Sequence, residues 1–335
     1  MRQGRHPMRN RRLLLLAAGA VVSGSPVLLR AQAPATGLRR VGVLAPSTSA
    51  KEAVTLKPFF DQMRALGWIE GQTIRYDRAF ADDRHEDLPR LATELVARKP
   101  ELVYAPPLIA ARAAWQATRT IPMVFATVSD PVREGFVASL GRPGGSATGL
   151  SNISASLLPK RIQLLREILP GVKRIGRLLD PADPAGRLAQ QEFAPVAAAL
   201  GLTITITEPA NPAEFDGAVA RLVADRVDAI YAGSVLALNM RERLIELANE
   251  KRLPVVGLIP SMADAGALFV YSASQADLLR RSALVVDKVL RGAKPADIPV
   301  EQPTLFELVL NVKAAKALGI TIPQSVLLQA DRVIE

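Results

Sequence analysis

The feature that most constrains the fold is a regular alternation of short β-rich runs with longer amphipathic segments. Strand-like runs such as 39–44 and 102–104 alternate with helix-like segments such as 88–98 and 109–118. Strands that are separated by helices form parallel sheets with helices on both faces, because each crossover returns the chain to the same end of the sheet. The sequence therefore predicts an α/β fold built on parallel sheets.

The alternation is interrupted once, by the glycine- and proline-rich run 141–146, and restarts after Gly149. Such a run is typical of a turn or a hinge between two folding units. We predict two Rossmann-like lobes with parallel sheets, joined by a multi-strand hinge that includes these glycines, and a ligand cleft between the lobes. The predicted division is 36–150 plus about 273–300 for lobe 1, 151–272 for lobe 2, and 301–335 for a C-terminal crossover strand, helix and tail.

The N-terminal segment 1–35 has the layout of a secretory signal peptide. Arg9, Arg11 and Arg12 precede the apolar run 13–22, and small residues follow at 31–35. This order of basic, apolar and small residues is typical of export signals, and the apolar run is too short to span a bilayer. Much of the formal net charge of +10 lies in this arginine-rich, acid-free segment. The charge therefore does not indicate a nucleic-acid partner. Export through the general or the twin-arginine route stays open.

Few residues suit catalysis or metal binding. The chain has no cysteine, and His85 is the one histidine outside the predicted signal. A lone histidine within the acidic run 82–87 is typical of a solvated loop that opens a helix, and the glycines of 144–149 fit no dinucleotide or P-loop pattern. We therefore expect no metal, no cofactor and no catalytic site. An enzyme on the same scaffold, or a ligand-sensing module that docks on a membrane receptor, stays as an alternative.

Candidate ligand contacts follow the predicted strands. In parallel α/β sheets, ligands bind beyond the carboxyl ends of the strands. Tyr104, Tyr231 and Tyr271 end predicted strands, where a phenol offers an apolar face and one polar group. Packing within a sheet is the alternative role for such a tyrosine, as helix capping is for a serine. The predicted ligand-binding set is Ser47, Tyr104, Ser129, Asp130, Ser151, Ser234 and Tyr271. Asp183 is predicted to start a helix instead.

Several motifs carry a family likeness. They are Leu66-Gly67-Trp68-Ile69-Glu70-Gly71, Ser129-Asp130-Pro131-Val132, and Gly292-Ala293-Lys294-Pro295-Ala296-Asp297-Ile298-Pro299-Val300-Glu301-Gln302-Pro303-Thr304. With these motifs the chain resembles the solute-binding proteins of ABC importers, in the branch that includes tryptophan-binding periplasmic proteins. The resemblance implies a type I periplasmic binding fold, a small-molecule solute, delivery to a membrane permease, a periplasmic location and a monomer.

One segment departs from the family pattern. Members that bind an amino-acid carboxylate tend to have a glycine and a hydroxyl residue after the third strand, whereas this chain has Ala105-Pro106-Pro107-Leu108 there. Each proline lacks the backbone N–H group that could donate to a carboxylate. We therefore expect a small organic solute that is amino-acid-like, another organic acid or a less polar organic molecule.

Overall fold

The computed structural model describes residues 37–181 and 184–335. These residues form two sheets, both flanked by helices, as the alternation in the sequence predicts. The predicted signal peptide 1–35 and the predicted helix start at Asp183 lie outside the described residues. We call the first sheet with its helices lobe 1 and the second sheet with its helices lobe 2.

Lobe 1 is built on a fully parallel sheet with the strand order β2-β1-β3-β4-β5. Its strands are β1 (Arg39–Ala45), β2 (Ile74–Phe80), β3 (Leu102–Tyr104), β4 (Met123–Val128) and β5 (Ala147–Ser151). The helices before β5 are α1 (Ser49–Thr55), α2 (Lys57–Ala65), α3 (Leu88–Ala97) and α4 (Leu108–Ala117).

Lobe 2 is built on a sheet with the order β12-β11-β10-β9-β8-β6-β7, in which only the β10–β11 pair is antiparallel. Its strands are β6 (Arg174–Leu178), β7 (Thr203–Thr207), β8 (Ala229–Tyr231), β9 (Val255–Gly257), β10 (Phe269–Ala273), β11 (Phe306–Asn311) and β12 (Arg332–Ile334). Its helices are α5 (Leu158–Ile168), α6 (Pro184–Ala199), α7 (Phe215–Ala224), α8 (Val235–Asn239), α9 (Arg241–Glu250), α10 (Pro260–Ala265), α12 (Val312–Leu318) and α13 (Gln324–Leu327).

The long helix α11 (Gln275–Leu290) follows lobe 2 in sequence but packs on lobe 1, against α2 and strands β3, β4 and β5. Its residues Leu278 and Val286 join the same apolar cluster as Val41 and Val43 of β1. The other face of the sheet packs against α3 and α4. Gly42 of β1 faces this side, where a Cβ atom would lie 2.9 Å from Leu95 Cγ, so the glycine lets α3 pack closely.

Three short segments connect the lobes: residues 151–154 after β5, residues 273–275 after β10, and residues 301–306 before β11. They are hydrogen bonded to each other or to the adjoining sheet. Ser151 N–H donates to Glu301 O at 2.9 Å, and Ser274 N–H donates to Leu305 O at 2.9 Å. The connection is therefore a hinge of several segments, as the sequence analysis predicts, but the glycine-rich run 141–146, which is predicted to be part of the hinge, lies before β5 in lobe 1.

The structure differs from the sequence prediction mainly around short elements. The glycine-rich run leads into a strand, β5, in which Gly149 has φ of +154°. A Cβ atom at Gly149 would lie 2.0 Å from Phe125 O, so this glycine serves the close approach of β5 to β4 rather than a turn. Helix α10 is not predicted by the sequence pattern, and the helical segment between β1 and β2 is divided into α1 and α2 at Leu56.

Candidate functional site

A cleft of about 910 Å³ lies between the two lobes, at the ends of strands from both sheets. Lobe 1 contributes residues that follow β1, β3 and β4: Pro46, Ser47, Pro107, Leu108, Ile109, Ser129 and Asp130. Lobe 2 contributes residues in or after β6, β8, β9 and β10: Arg177, Tyr231, Gly233, Leu258, Ile259 and Ser272. Because parallel strands end at one edge of each sheet, this is where the fold places convergent polar and apolar groups.

A second, smaller cavity of about 240 Å³ lies on lobe 1 alone, beside Phe60, Trp68 and Tyr76. Since residues of only one lobe line it, lobe closure would not enclose a solute there. The larger cleft is the better candidate for a binding site.

Three of the predicted ligand-binding residues line the cleft: Ser47, Ser129 and Asp130. Ser47 N–H donates to the buried carboxylate of Glu52 at 3.2 Å. Ser129 lies where the lobes meet, because its Oγ accepts from Ala155 N–H at 3.4 Å and its carbonyl accepts from Ser151 Oγ at 2.8 Å. Asp130 accepts from the backbone N–H of Arg133 at 3.0 Å, as a residue that starts a turn does.

The other four predicted residues are placed behind the cleft wall, in structural roles. Tyr104 is 0% exposed, stacks on Phe59 with ring centroids 3.9 Å apart, and shares a 2.8 Å hydrogen bond with Ser282. Burial raises the pKa of the Tyr104 phenol well above its usual range. Ser234 caps α8 by accepting from Ala237 N–H at 3.1 Å.

Ser151 and Tyr271 support the hinge region. The Ser151 hydroxyl accepts from Ile153 N–H at 3.1 Å, in addition to its bond to Ser129. The ring of Tyr271 stacks on Phe306, with centroids 6.1 Å apart, and its carbonyl accepts from Arg161 Nε at 2.7 Å. For Tyr104, Ser234, Ser151 and Tyr271, a direct role in ligand binding stays a prediction that the geometry of the cleft does not support.

Two buried arginines line the cleft on lobe 2, and the sequence analysis does not single them out. Arg161 of α5 is 1% exposed and donates to Tyr271 O, Ser154 O, Ser154 Oγ and Tyr231 OH, at 2.7 to 3.1 Å. Its guanidinium therefore ties the start of α5 to the ends of β8 and β10. A sequence signal exists, because Arg161 occupies the apolar stripe of the helix, between Leu158 and Leu165.

Arg177 of β6 is 3% exposed and is less well satisfied. Its Nη1 donates to the side chain of Gln190, while its Nε has no hydrogen-bond partner among the described residues. The guanidinium carbon lies 4.3 Å from the ring centroid of Phe193 and 5.7 Å from that of Tyr231. Burial lowers the pKa of Arg177 from its usual value to about 10, because the charged form loses its hydration.

Among the described residues, the four carboxylates that line the cleft are all ion-paired. The Asp83, Asp130, Glu134 and Glu242 carboxylates pair with Lys51, Arg133, Arg112 and Arg241, respectively, at distances of 2.7 to 3.5 Å. In the described part of the chain, by contrast, neither Arg161 nor Arg177 has a carboxylate partner. The excess positive charge of the cleft therefore lies on lobe 2.

Within residues 37–181 and 184–335, no group of three or more His, Asp or Glu side chains is placed to bind a metal ion. His85 lines the edge of the cleft beside Asp83. In the same part of the chain, no helix combines the length and hydrophobicity that crossing a bilayer requires.

Comparison with known proteins assigns the chain to a family. The family model described as ABC transporter substrate binding protein matches residues 41–334, so the chain belongs to this family of solute-binding proteins. It is 26% identical over 263 residues to a tyrosine-binding protein of Clostridioides difficile. The matched region covers 78% of this chain and 75% of that protein.

Two solved structures share the fold closely. One is the domain of an ABC protein from Streptococcus pneumoniae in complex with L-Trp, with a TM-score of 0.81 and 27% identity over 89% of this chain and 100% of that chain. The other is a conserved domain protein from Vibrio cholerae, with a TM-score of 0.81 and 28% identity over the same shares of the two chains. These likenesses confirm the predicted family and the predicted type I periplasmic binding fold.

Proposed function

We propose that this protein is the exported receptor of an ABC importer, which captures a small organic solute in the cleft and delivers it unchanged to a membrane permease. The observation that carries the proposal is the cleft itself, in which strand ends from both sheets face each other across a hinge. Membership of the substrate-binding family supports the transport role. The predicted signal peptide 1–35 supports a periplasmic location, and we expect a monomer in solution.

The relatives suggest the size and chemistry of the solute. One relative is named for tyrosine binding and another is solved with L-Trp, so a solute of amino-acid size, either amino-acid-like or an organic acid, fits the proposal. A cleft of about 910 Å³ lies in the range of volumes of small-molecule sites. On lobe 1, we propose that Ser47 and Ser129 donate hydrogen bonds to the solute and that Asp130 accepts one.

Closure of the lobes would complete the site. We propose that the lobes rotate about the segments 151–154, 273–275 and 301–306, since these are the connections between the two sheets. Rotation about several short segments is typical of hinge closure around a ligand. Closure removes water from the solute, which strengthens its polar contacts and presents a single closed surface to the permease.

The experiment that tests the proposal has two parts. The purified protein is first denatured, and any co-purified small molecule is identified by mass spectrometry. The refolded protein is then screened by thermal shift against amino acids, organic acids, nucleobases and sugars. A solute at 100 times its dissociation constant stabilises the folded state by about 2.7 kcal/mol, which raises the melting temperature by a few degrees. Recovery of that solute unchanged after long incubation is the expected result, whereas its chemical conversion would favour an enzyme.

A further inference from the structure

Arg177 carries donor groups that no described residue uses. A guanidinium has five N–H donors, and within the described part of the chain the one hydrogen bond of Arg177 goes from Nη1 to Gln190. Its Nε is buried without a partner among the described residues, although the side chain lines the cleft. Buried polar groups are nearly always hydrogen bonded, so an unpaired donor in a binding cleft indicates a missing acceptor. Ser272 Oγ, which lines the same cleft from β10, is also buried and unpaired.

Aromatic packing orients the guanidinium for such an acceptor. The guanidinium carbon of Arg177 lies over the ring of Phe193, 4.3 Å from its centroid, and 5.7 Å from the ring centroid of Tyr231. Stacking on an aromatic ring uses the face of the guanidinium and leaves the N–H groups at its edge available. A planar edge with two parallel N–H groups is the geometry that binds a carboxylate in a bidentate manner.

The charges of the cleft limit the kind of ligand further. An α-amino acid brings both a carboxylate and an ammonium group, and the ammonium needs an acceptor. Among the described residues, every carboxylate that lines the cleft already has a cationic partner, so an ammonium group would have to share Asp83, Asp130, Glu134 or Glu242 with a lysine or an arginine. A net anionic ligand, by contrast, supplies the negative charge that the lobe 2 wall lacks.

We propose that the solute is a small organic acid without an ammonium group, and that its carboxylate binds the buried guanidinium of Arg177 on lobe 2. This proposal rests on the proposed receptor function. The apolar body of the acid packs between Phe193 and Val196 on lobe 2 and Leu108 and Ile109 on lobe 1, which all line the cleft. Pro106 and Pro107 agree with this orientation, since the loop after β3 lacks two of the N–H donors that would bind a carboxylate on lobe 1.

The test uses two matched sets of probes with the same apolar body. One set is 3-phenylpropionate, L-phenylalanine and 3-phenylpropionamide, and the other is 4-methylpentanoate, L-leucine and 4-methylpentanamide. Affinities are measured by isothermal titration calorimetry on ligand-free protein, with probes up to millimolar concentration. We expect the acid of at least one set to bind about 10-fold or more tightly than its amino acid and its amide, because a charge-assisted pair of hydrogen bonds is lost or offset in each.

Variants of one strand assign the carboxylate to Arg177. Arg177→Gln should weaken binding of the acid by about 10- to 100-fold and leave binding of the amide nearly unchanged. Arg174→Gln is the matched control, since Arg174 lies on the same strand but is exposed and outside the cleft. This variant should change the affinity by less than about twofold. Arg177→Lys keeps the charge but not the planar fork, so it should fall between the two.

Several results would overturn the proposal. The first is that an amide or an amino acid binds as tightly as the corresponding acid. The second is that the Arg177→Gln variant and the unaltered protein bind an acid equally tightly. The third is that neither acid binds. Unchanged binding in Arg177→Gln would place the carboxylate elsewhere, for example at the start of α4. The proposed receptor function is tested separately. A neutral solute that co-purifies or is found in the broad screen would support the receptor function and contradict only the proposal of an organic acid. If neither source yields a solute, both proposals are contradicted.

Discussion

The two walls of the cleft differ in whether their charged side chains have partners of opposite charge. On lobe 1, Lys51 pairs with Asp83 and Arg133 with Asp130, so the ionisable groups neutralise each other before any ligand arrives. On lobe 2, Arg161 and Arg177 are almost completely buried and have no carboxylate partner in the described part of the chain. Lobe 1 therefore offers dipoles and hydrogen-bond donors, while lobe 2 offers a net positive charge.

The difference bears on closure of the lobes. When the lobes close, the paired charges on lobe 1 keep their partners. The guanidinium of Arg177 is already 3% exposed, and closure would seal it further from the water of the cleft without giving it an acceptor, which is costly. An anionic ligand removes this cost, because it supplies the missing acceptor. Such a ligand binds the closed state more tightly than the open state and therefore favours closure. The unliganded protein should then stay open.

The two arginines of lobe 2 also differ from each other, and this difference gives the largest expected effect. Arg161→Met should lower the free energy of unfolding by about 3 kcal/mol or more, because it removes the donor from Tyr231 OH, which is buried, and from Tyr271 O and Ser154 O, which are partly buried. Urea unfolding measures the change, and Arg166→Met, on the exposed side of the same helix, is the control. A loss no larger than in the control would contradict the structural role of Arg161.

Arg177→Met should have the opposite sign in the absence of ligand. We expect the free energy of unfolding to rise by about 1 kcal/mol, since a buried charge with an unpaired Nε is replaced by an apolar side chain of similar length. The lowered pKa of Arg177, about 10, agrees with this sign: the folded protein holds the proton less tightly than the unfolded chain, so the charged form reduces stability below that pH. Thermal melting of ligand-free protein, with Arg174→Met as the control, checks it. A clear destabilisation would show that Arg177 is a structural residue.

The buried carboxylate of lobe 1 offers a pH-dependent comparison. Burial raises the pKa of Glu52, and its hydrogen bond from Ser47 N–H only partly offsets this effect. Because the folded pKa is raised, the stability that Glu52 contributes is present below its unfolded pKa and is lost as the pH rises through the folded pKa. Glu52→Gln keeps an acceptor for Ser47, so it should stabilise the protein at pH 7 and have little effect at pH 4. Melting curves across this range should show the gap between variant and parent widening with pH, and a constant gap would contradict the prediction.

The smallest effect should come from the exposed ion pair on lobe 1. The side chains of Lys51 and Asp83 are 58% and 46% exposed, and such pairs contribute little because solvent screens them. Lys51→Gln should change the free energy of unfolding by less than about 0.5 kcal/mol and the affinity for an acid by less than about threefold. Urea unfolding and calorimetry measure the two quantities. A loss of affinity as large as in Arg177→Gln would mean that lobe 1 also binds the anion.

Most of the fold follows from local patterns in the sequence. Strand β3 has the predicted bounds, and helices α3 and α4 agree with the predicted segments 88–98 and 109–118 to within one residue at each end, because their apolar periodicity and their flanking proline residues agree. Strand β5 is missed because its glycine, which permits contact with β4, has the local signature of a turn. Only the packed sheet distinguishes the two roles of Gly149.

Less of the candidate site follows from the sequence, for a physical reason. A position after a strand predicts that Ser47, Ser129 and Asp130 are near the cleft, but it does not predict whether a side chain points into the cleft or behind it. Tyr104 points behind, onto Phe59 and α11. Arg177 carries a recognisable signal, a charged residue between Gly176 and Leu178 in the buried part of strand β6. Its unpaired Nε, however, depends on side chains that come from distant parts of the chain.

The position of α11 has a consequence for synthesis of the chain. This helix supplies Leu278, Val285 and Val286 to the core of lobe 1, but the ribosome makes it after strand β10 of lobe 2. A nascent chain that ends before Gln275 therefore exposes one apolar face of the first sheet, and lobe 2 in turn lacks β11 and β12 until the last residues are added. Neither half can complete its core early during translation. We expect the growing chain to remain accessible to chaperones until nearly all of its residues have left the ribosome.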